Sequence, residues 1–240
     1  MGVIIPAILP SSREDLDAKL AQLAGITDEV QIDIVDGRFA APASWPFDGG
    51  KQDAQALPLI EHAFARSGGM LAEMDLMVET PEAEIGPWVQ AGANRITVHA
   101  ESARRLPQLI ADFQARYGHD KGFAPGLLSF GLAINIASDL SLIEPYLDAC
   151  DYVQFMGIRT IGRQGEPFDR GILARVTAFR KKHPDTPVQV DGGVSLDTAP
   201  ELLAAGVSRL IVGSALWRAP DLRAEFAKFT ELTERYGLYT

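Results

Sequence analysis

Short runs of apolar and β-branched residues recur from one end of the chain to the other, and a longer amphipathic segment separates each from the next. The runs occupy residues 3–9, 30–35, 71–78, 95–100, 130–135, 152–158, 188–190 and 209–212. Alternation of this kind predicts repeated βα units feeding a parallel sheet. Punctuation between the runs agrees. Ser12 precedes Arg13-Glu14-Asp15 in the manner of a capping box, with acidic side chains near the positive end of a helix. Thr80-Pro81 places a cap before a proline at the first helical position, where the missing N–H costs nothing. Glycine closes the segments at Ala24-Gly25, Ala91-Gly92-Ala93 and Ala205-Gly206-Val207, where a left-handed residue turns the chain into the next strand.

Eight strands is the number that closes an α/β barrel, and 240 residues suit one such domain. The expectation is therefore a single (β/α)8 TIM barrel over residues 1–240. The stretch 40–50, rich in Pro, Gly and Ala, reads as a long βα loop and not as a domain boundary. An open doubly wound sheet shares the alternation but carries a Gly-rich dinucleotide turn after its first strand. Here that turn is Leu9-Pro10-Ser11-Ser12. In a closed barrel, ligand sites lie at the C-terminal ends of the strands.

Charge and cysteine narrow the picture. A formal net charge of -10 excludes a broad nucleic-acid footprint, which needs clustered Lys and Arg. The lone Cys150 cannot form an intrachain disulfide, and beside the run 152–156 it suits a small buried side chain in a reducing compartment. The apolar start at residues 3–9 lacks a basic leader and contains Pro6, so it reads as a strand and not as a signal peptide. No run approaches the roughly 20 apolar residues that cross a bilayer. A cytoplasmic protein with no membrane or nucleic-acid partner is expected.

Polar residues at the strand ends are few: Gln31, Asp33 and Asp36 on the second, Asp75 on the third, His99 on the fourth, Asn135 on the fifth and Asp191 on the seventh. Carboxylates on three parallel strands would converge on one mouth. Gln31 and Asp33 share a face by alternation, while Asp36 falls into the loop. Asp191 opens into Gly192-Gly193, where backbone N–H groups can approach a ligand closely. Taken one at a time, such aspartates read as loop hydrogen-bonders and His99 as a packed histidine. His62, His119 and His183 read as surface residues.

As an ordered set the motifs say more. The segments 30–39 (Val-Gln-Ile-Asp-Ile-Val-Asp-Gly-Arg-Phe), Asp75-Leu76-Met77-Val78, residues 91–99 from Ala91-Gly92-Ala93 to Thr97-Val98-His99, Val190-Asp191-Gly192-Gly193-Val194 and Val212-Gly213-Ser214-Ala215 together resemble the ribulose-phosphate 3-epimerase family, in order along nearly the whole chain. The resemblance implies a small phosphorylated sugar as ligand, with Asp33 and Asp191 moving a proton at the carbon beside its ketone. Inversion at carbon requires one group on each face of that centre. The resemblance further implies a divalent metal near the enediolate, a phosphate on the backbone of Gly192-Gly193 and Gly213-Ser214, Met156 among the substrate-binding residues, and a homodimer.

Three departures alter what that implies. Ala7 stands where the family has serine, and Gln31 and Asp75 stand where it has its two metal-binding histidines. Asp33, Asp75 and Asp191, with the Gln31 amide, would make an all-oxygen site that favours Mg2+ or Mn2+ over Zn2+. The loop 157–166 carries Arg159 and Arg163, either of which could neutralise the phosphate or the intermediate in place of a metal. The leading expectation is an epimerase or isomerase of sugar phosphates. A lyase or decarboxylase through a similar intermediate, and a phosphate-ligand binding protein without turnover, are the alternatives.

Overall fold

The computed structural model describes residues 2–48, 51–53, 56, 58, 60–61, 69–118 and 128–236. Eight parallel strands close a barrel: β1 (Val3–Ile8), β2 (Glu29–Val35), β3 (Leu71–Met77), β4 (Arg95–His99), β5 (Ser129–Ile134), β6 (Tyr152–Met156), β7 (Val188–Asp191) and β8 (Arg209–Val212), with β8 returning to β1. All eight predicted strands are present, each within about two residues of the expected ends, the usual uncertainty of such boundaries. The helices with described bounds are α1 (Arg13–Leu23), α2 (Pro81–Gln90), α3 (Leu106–Tyr117), α4 (Gly171–Lys182), α5 (Ala199–Ala204), α6 (Ser214–Trp217) and α7 (Leu222–Tyr236). Between β5 and β6 the described chain forms two 3-10 turns, Leu140–Leu142 and Glu144–Ala149, instead of an α-helix; Pro145 opens the second. No described helix is long and apolar enough to cross a membrane.

Local chemistry accounts for the boundaries. Ser12 Oγ accepts from the Asp15 N–H at 3.1 Å, as the capping pattern predicts, and the Asp15 carboxylate accepts from the Ser11 N–H at 2.9 Å. Thr80 is different. Its side chain makes no cap hydrogen bond, and Pro81 alone marks that start. Gly25, Gly92 and Gly206 all have positive φ, as reversal after a helix requires. Of the segment 40–50, residues 40–46 form a loop, as expected, and Phe47–Asp48 pair with Lys51–Gln52 in a two-residue antiparallel ladder, while residues 49–50 lie outside the described residues. Cys150 is buried, with its thiol 3.2 Å from the Tyr146 carbonyl it donates to. His62 and His119 lie outside the described residues, and His183 is half-buried against Phe179 and not fully at the surface.

Strand alternation splits the core into two unlike halves. Ile4, Ile8, Ile32, Ile34, Met74, Leu76 and Val190 join one large apolar cluster with helix residues such as Leu16, Trp88, Phe113 and Phe179. The opposite face of each strand lines the barrel. There the apolar clusters are small, Ile5 with Ala7 and Ile211, and Val35 with Met77 and Ala40, whereas Gln31, Asp33, Glu73, Asp75, Thr97, His99, Gln154, Gln189 and Asp191 are all buried polar groups. Barrel interiors are ordinarily filled with branched apolar side chains, so burying this many polar atoms requires that they satisfy one another. Gly131 makes room for the arrangement: a Cβ there would collide with the Tyr152 ring.

Candidate active site

Register brings the carboxylates together. Pairing of β2 with β3 sets Asp33 beside Asp75 and Gln31 beside Glu73, and pairing of β6 with β7 sets Met156 beside Asp191 and Gln154 beside Gln189. One ligand atom from each of Asp33, Asp75 and Asp191 lies within 4.8 Å of the other two. Gln31 ties two of them: its Nε2 donates to Asp33 Oδ1 at 2.9 Å and to Asp191 Oδ2 at 3.3 Å. Gln154 Nε2 holds the third, donating to Asp75 Oδ2 at 2.8 Å. His99 Nε2 stands 3.3 Å from Asp75 Oδ1, a charge contact without the alignment of a hydrogen bond, and His99 Nδ1 is 4.0 Å from Glu101 Oε2. His99, expected as a packed histidine, is fully buried against Phe39 and also faces a site carboxylate.

Electrostatics follow from this crowding. Burial raises the Asp33 carboxyl well above its ordinary value, and the Asp191 and Asp75 charges push the same way against the Gln31 donor. Asp191 is pushed up to about 7, first by burial and next by Asp75, with Gln31, His99 and the Gly192 N–H opposing. Burial disfavours charge on His99, but Asp75, helped by Glu101 and Asp191, outweighs it and raises the imidazole above its usual range.

Several polar atoms at this end are buried without a hydrogen-bond partner among the described residues: Gln31 Oε1, Asp75 Oδ1, both His99 nitrogens, Glu101 Oε2 and Asn135 Oδ1. Each costs about 1–3 kcal/mol if left unmet. Three carboxylates with an oxygen each within 4.8 Å of one another form an oxygen donor set that could hold a divalent cation, whereas Gln31 turns its nitrogen to them. Asp36 belongs elsewhere. Its carboxylate accepts from the N–H groups of Arg38, Phe39 and Glu79 and so braces the β2 and β3 loops.

A cavity of about 40 Å³ opens beside the carboxylates, lined by Asp33, Asp191, Met156, Gly192, Gly213 and Ser214. Gly193 is adjacent to it in the chain. Among the described residues the N–H groups of Gly193, Gly213 and Ser214 find no protein acceptor. The loop 157–166 roofs this space. Gln164 Nε2 reaches the Ala7 carbonyl at 3.4 Å and would stand 3.0 Å from a Cβ on residue 213. Of the two loop arginines, Arg159 is turned outward on Asp169 at 2.6 Å with its side chain 82% exposed. Arg163 lines the cavity, its Nε donating to the Ala41 carbonyl at 3.0 Å.

Sequence reasoning passed over Glu73, Gln154 and Gln189. The signal was available, since each alternates with apolar neighbours in Ala72-Glu73-Met74, Val153-Gln154-Phe155 and Val188-Gln189-Val190. Attention to strand ends alone hid it.

The model of the "Ribulose-phosphate 3 epimerase family" matches residues 3–217. The ribulose-phosphate 3-epimerase of Aquifex aeolicus (strain VF5) is 26% identical over 97% of each chain, and that of Bacillus subtilis (strain 168) is 27% identical over 91% of this chain and 93% of its own. Among solved structures, 3-hexulose-6-phosphate synthase from Salmonella typhimurium superposes with a TM-score of 0.71 at 15% identity, covering 98% of this chain and 99% of its own. KGPDC from Streptococcus mutans gives 0.69 at 14% identity over 98% of this chain and 99% of its own. At those identities the structures speak for the barrel alone, while the family match spans most of the sequence. This chain belongs to the ribulose-phosphate 3-epimerase family.

Proposed function

We propose that the protein epimerises a phosphorylated ketose by proton transfer at the carbon beside the ketone, with Asp33 and Asp191 as the two proton-transfer groups. The observation that carries this reading is the pair itself. Two buried carboxylates share one amide donor, border one cavity and are both displaced toward neutral pH. Like charges this close keep one group protonated while the other is free to accept, which is the starting state an acid–base pair needs. After the first transfer the roles exchange. A planar enediolate between them is reprotonated from the opposite face, and the configuration inverts.

The phosphate of the substrate is assigned to the free N–H groups of Gly193, Gly213 and Ser214, after the seventh and eighth strands, with Arg163 at the rim of the same cavity. Gln164 borders that space, its Nε2 3.4 Å from the Ala7 carbonyl and 3.0 Å from where a Cβ on residue 213 would stand. Asp33, Asp75 and Asp191 are the residues that would hold a divalent cation, Mg2+ or Mn2+ before Zn2+. Such an ion supplies charge stabilisation for an enediolate. Met156 packs beside Asp191 and closes the apolar side of the mouth.

The test is exchange of solvent deuterium into carbon 3 of ribulose 5-phosphate and a panel of other ketose phosphates, with Asp191→Asn as the inactive control. Exchange abolished by that substitution is expected. Binding of the same phosphates with no exchange would overturn the reading and leave a ligand-binding protein.

A further inference from the structure

Below the carboxylates, the barrel floor holds a second polar layer that the proposed chemistry does not use. Glu73 takes Arg95 Nε at 2.9 Å and stands 3.6 Å from Arg209 Nη2, and it accepts from Thr97 Oγ1 at 2.7 Å. Burial works against the Glu73 charge, yet the two guanidiniums outweigh it and hold the carboxyl below its ordinary range. Arginine only donates and an ionised carboxylate only accepts. Whatever lies between them has its polarity dictated.

Gln189 lies between them. Its oxygen faces Arg209 Nε at 3.3 Å and Arg95 Nη2 at 3.5 Å, and its nitrogen faces Glu73 Oε1 at 2.5 Å. Turning that amide over would set a nitrogen against two cations and an oxygen against an anion. The same Gln189 nitrogen donates to Gln154 Oε1 at 2.7 Å. The Gln154 oxygen is thereby committed, and its nitrogen must point the other way, to Asp75 Oδ2 at 2.8 Å and Met156 Sδ at 3.5 Å. We infer that Gln154 and Gln189 are positioning residues. They form a one-directional hydrogen-bond relay through which the Arg95–Arg209–Glu73 cluster on the barrel floor fixes the orientation of Asp75 in the mouth.

Anchoring Asp75 Oδ2 from below leaves Oδ1, which has no hydrogen-bond partner, presented to His99 and the other two carboxylates. Two amides then divide the cluster: Gln31 spans the proton-transfer pair, and Gln154 pins the third carboxylate. The inference rests on the proposed function only in treating Asp75 as a site group, because the relay itself is a matter of geometry.

The test uses the whole purified protein with 13C-labelled aspartate, the Asp75 carboxyl resonance being assigned by its loss in Asp75→Asn. Gln189→Leu removes the middle link, which bonds to Gln154 and not to Asp75. The relay requires the Asp75 resonance and the Gln154 side-chain amide signals to move in this variant. Gln189→Met, closer in length, replaces it should the leucine variant fail to fold. An unmoved Asp75 signal in a folded variant overturns the inference. Turnover in the deuterium-exchange assay is expected to fall about tenfold or more in Gln154→Leu and in Gln189→Leu, the scale for groups that orient site ligands. KM for the sugar phosphate should hold, because the phosphate lies across the mouth. The double variant should be no slower than Gln154→Leu, since links of one chain do not add. Losses that multiply would show two independent packing defects and sink the relay. If the wild type exchanges no deuterium with any ketose phosphate, the epimerase reading falls, and the resonance shift still decides whether the relay exists.

Discussion

Three buried carboxylates within one cluster must cost stability, and Asp191→Asn should show how much. In the folded protein Asp191 titrates at about 7, whereas in the unfolded chain it returns to the ordinary value of 3.8. Between those values the folded state binds more protons than the unfolded one, so stability falls as pH rises through the window and levels off above about 7. A displacement of about 3 units at 1.36 kcal/mol each amounts to about 4 kcal/mol. That figure is an upper bound, because Asp33 and Asp191 titrate as a pair and the step belongs to both. Asparagine keeps the shape and an oxygen for the Gln31 donor while removing the charge. The variant should therefore be more stable than wild type by about 2–4 kcal/mol at pH 8, and nearly equal to it at pH 4, where the wild-type carboxyl is already neutral. Urea unfolding of chelator-treated protein at several pH values measures the difference. A variant that is destabilised at pH 8, or whose advantage does not change between pH 4 and pH 8, would refute the account of burial and like charge at this site.

Other expectations follow from the same geometry. For chelator-treated protein, kcat/KM for exchange should rise with pH through about 7, where Asp191 loses its proton. Gln31→Leu removes a donor that favours the charged forms of Asp33 and Asp191, so the rise should shift to higher pH by about one unit, the worth of about 1.4 kcal/mol; an unshifted profile would show that the amide does not tune the pair. Calorimetric titration should find Mn2+ or Mg2+ bound in preference to Zn2+. Gln31→His with Asp75→His should reverse that preference, and a wild type already favouring Zn2+ would contradict the oxygen-only site. Gly131→Ala should cost about 3 kcal/mol or more in chemical denaturation, since the added carbon meets the Tyr152 ring and neither can retreat in a filled interior. A neutral result there would mean that the ring is not held where it lies.

Most of the fold was readable from the chain because a βα barrel is written locally. Runs at 30–35 and 71–78 announce strands by their apolar content, and Gly25, Gly92 and Gly206 mark reversals that other residues resist. Asp33, Asp75 and Asp191 could also be picked out, because strand ends in a closed barrel point to one mouth whatever the details of packing. Which partners those carboxylates meet was another matter. Strand alternation puts Gln31, Gln154 and Gln189 inside the barrel, but only the closing of β8 onto β1 and the register between β6 and β7 decide which amide reaches which carboxylate. The separate fates of Arg159, turned onto Asp169, and Arg163, exposed at the cavity rim and bonded to the Ala41 carbonyl, depend on how one loop folds across the mouth. Hydrogen bonds and charge contacts at the site act over about 3–4 Å between residues up to 160 positions apart. No periodicity along the chain encodes such distances, so the tertiary structure decided them.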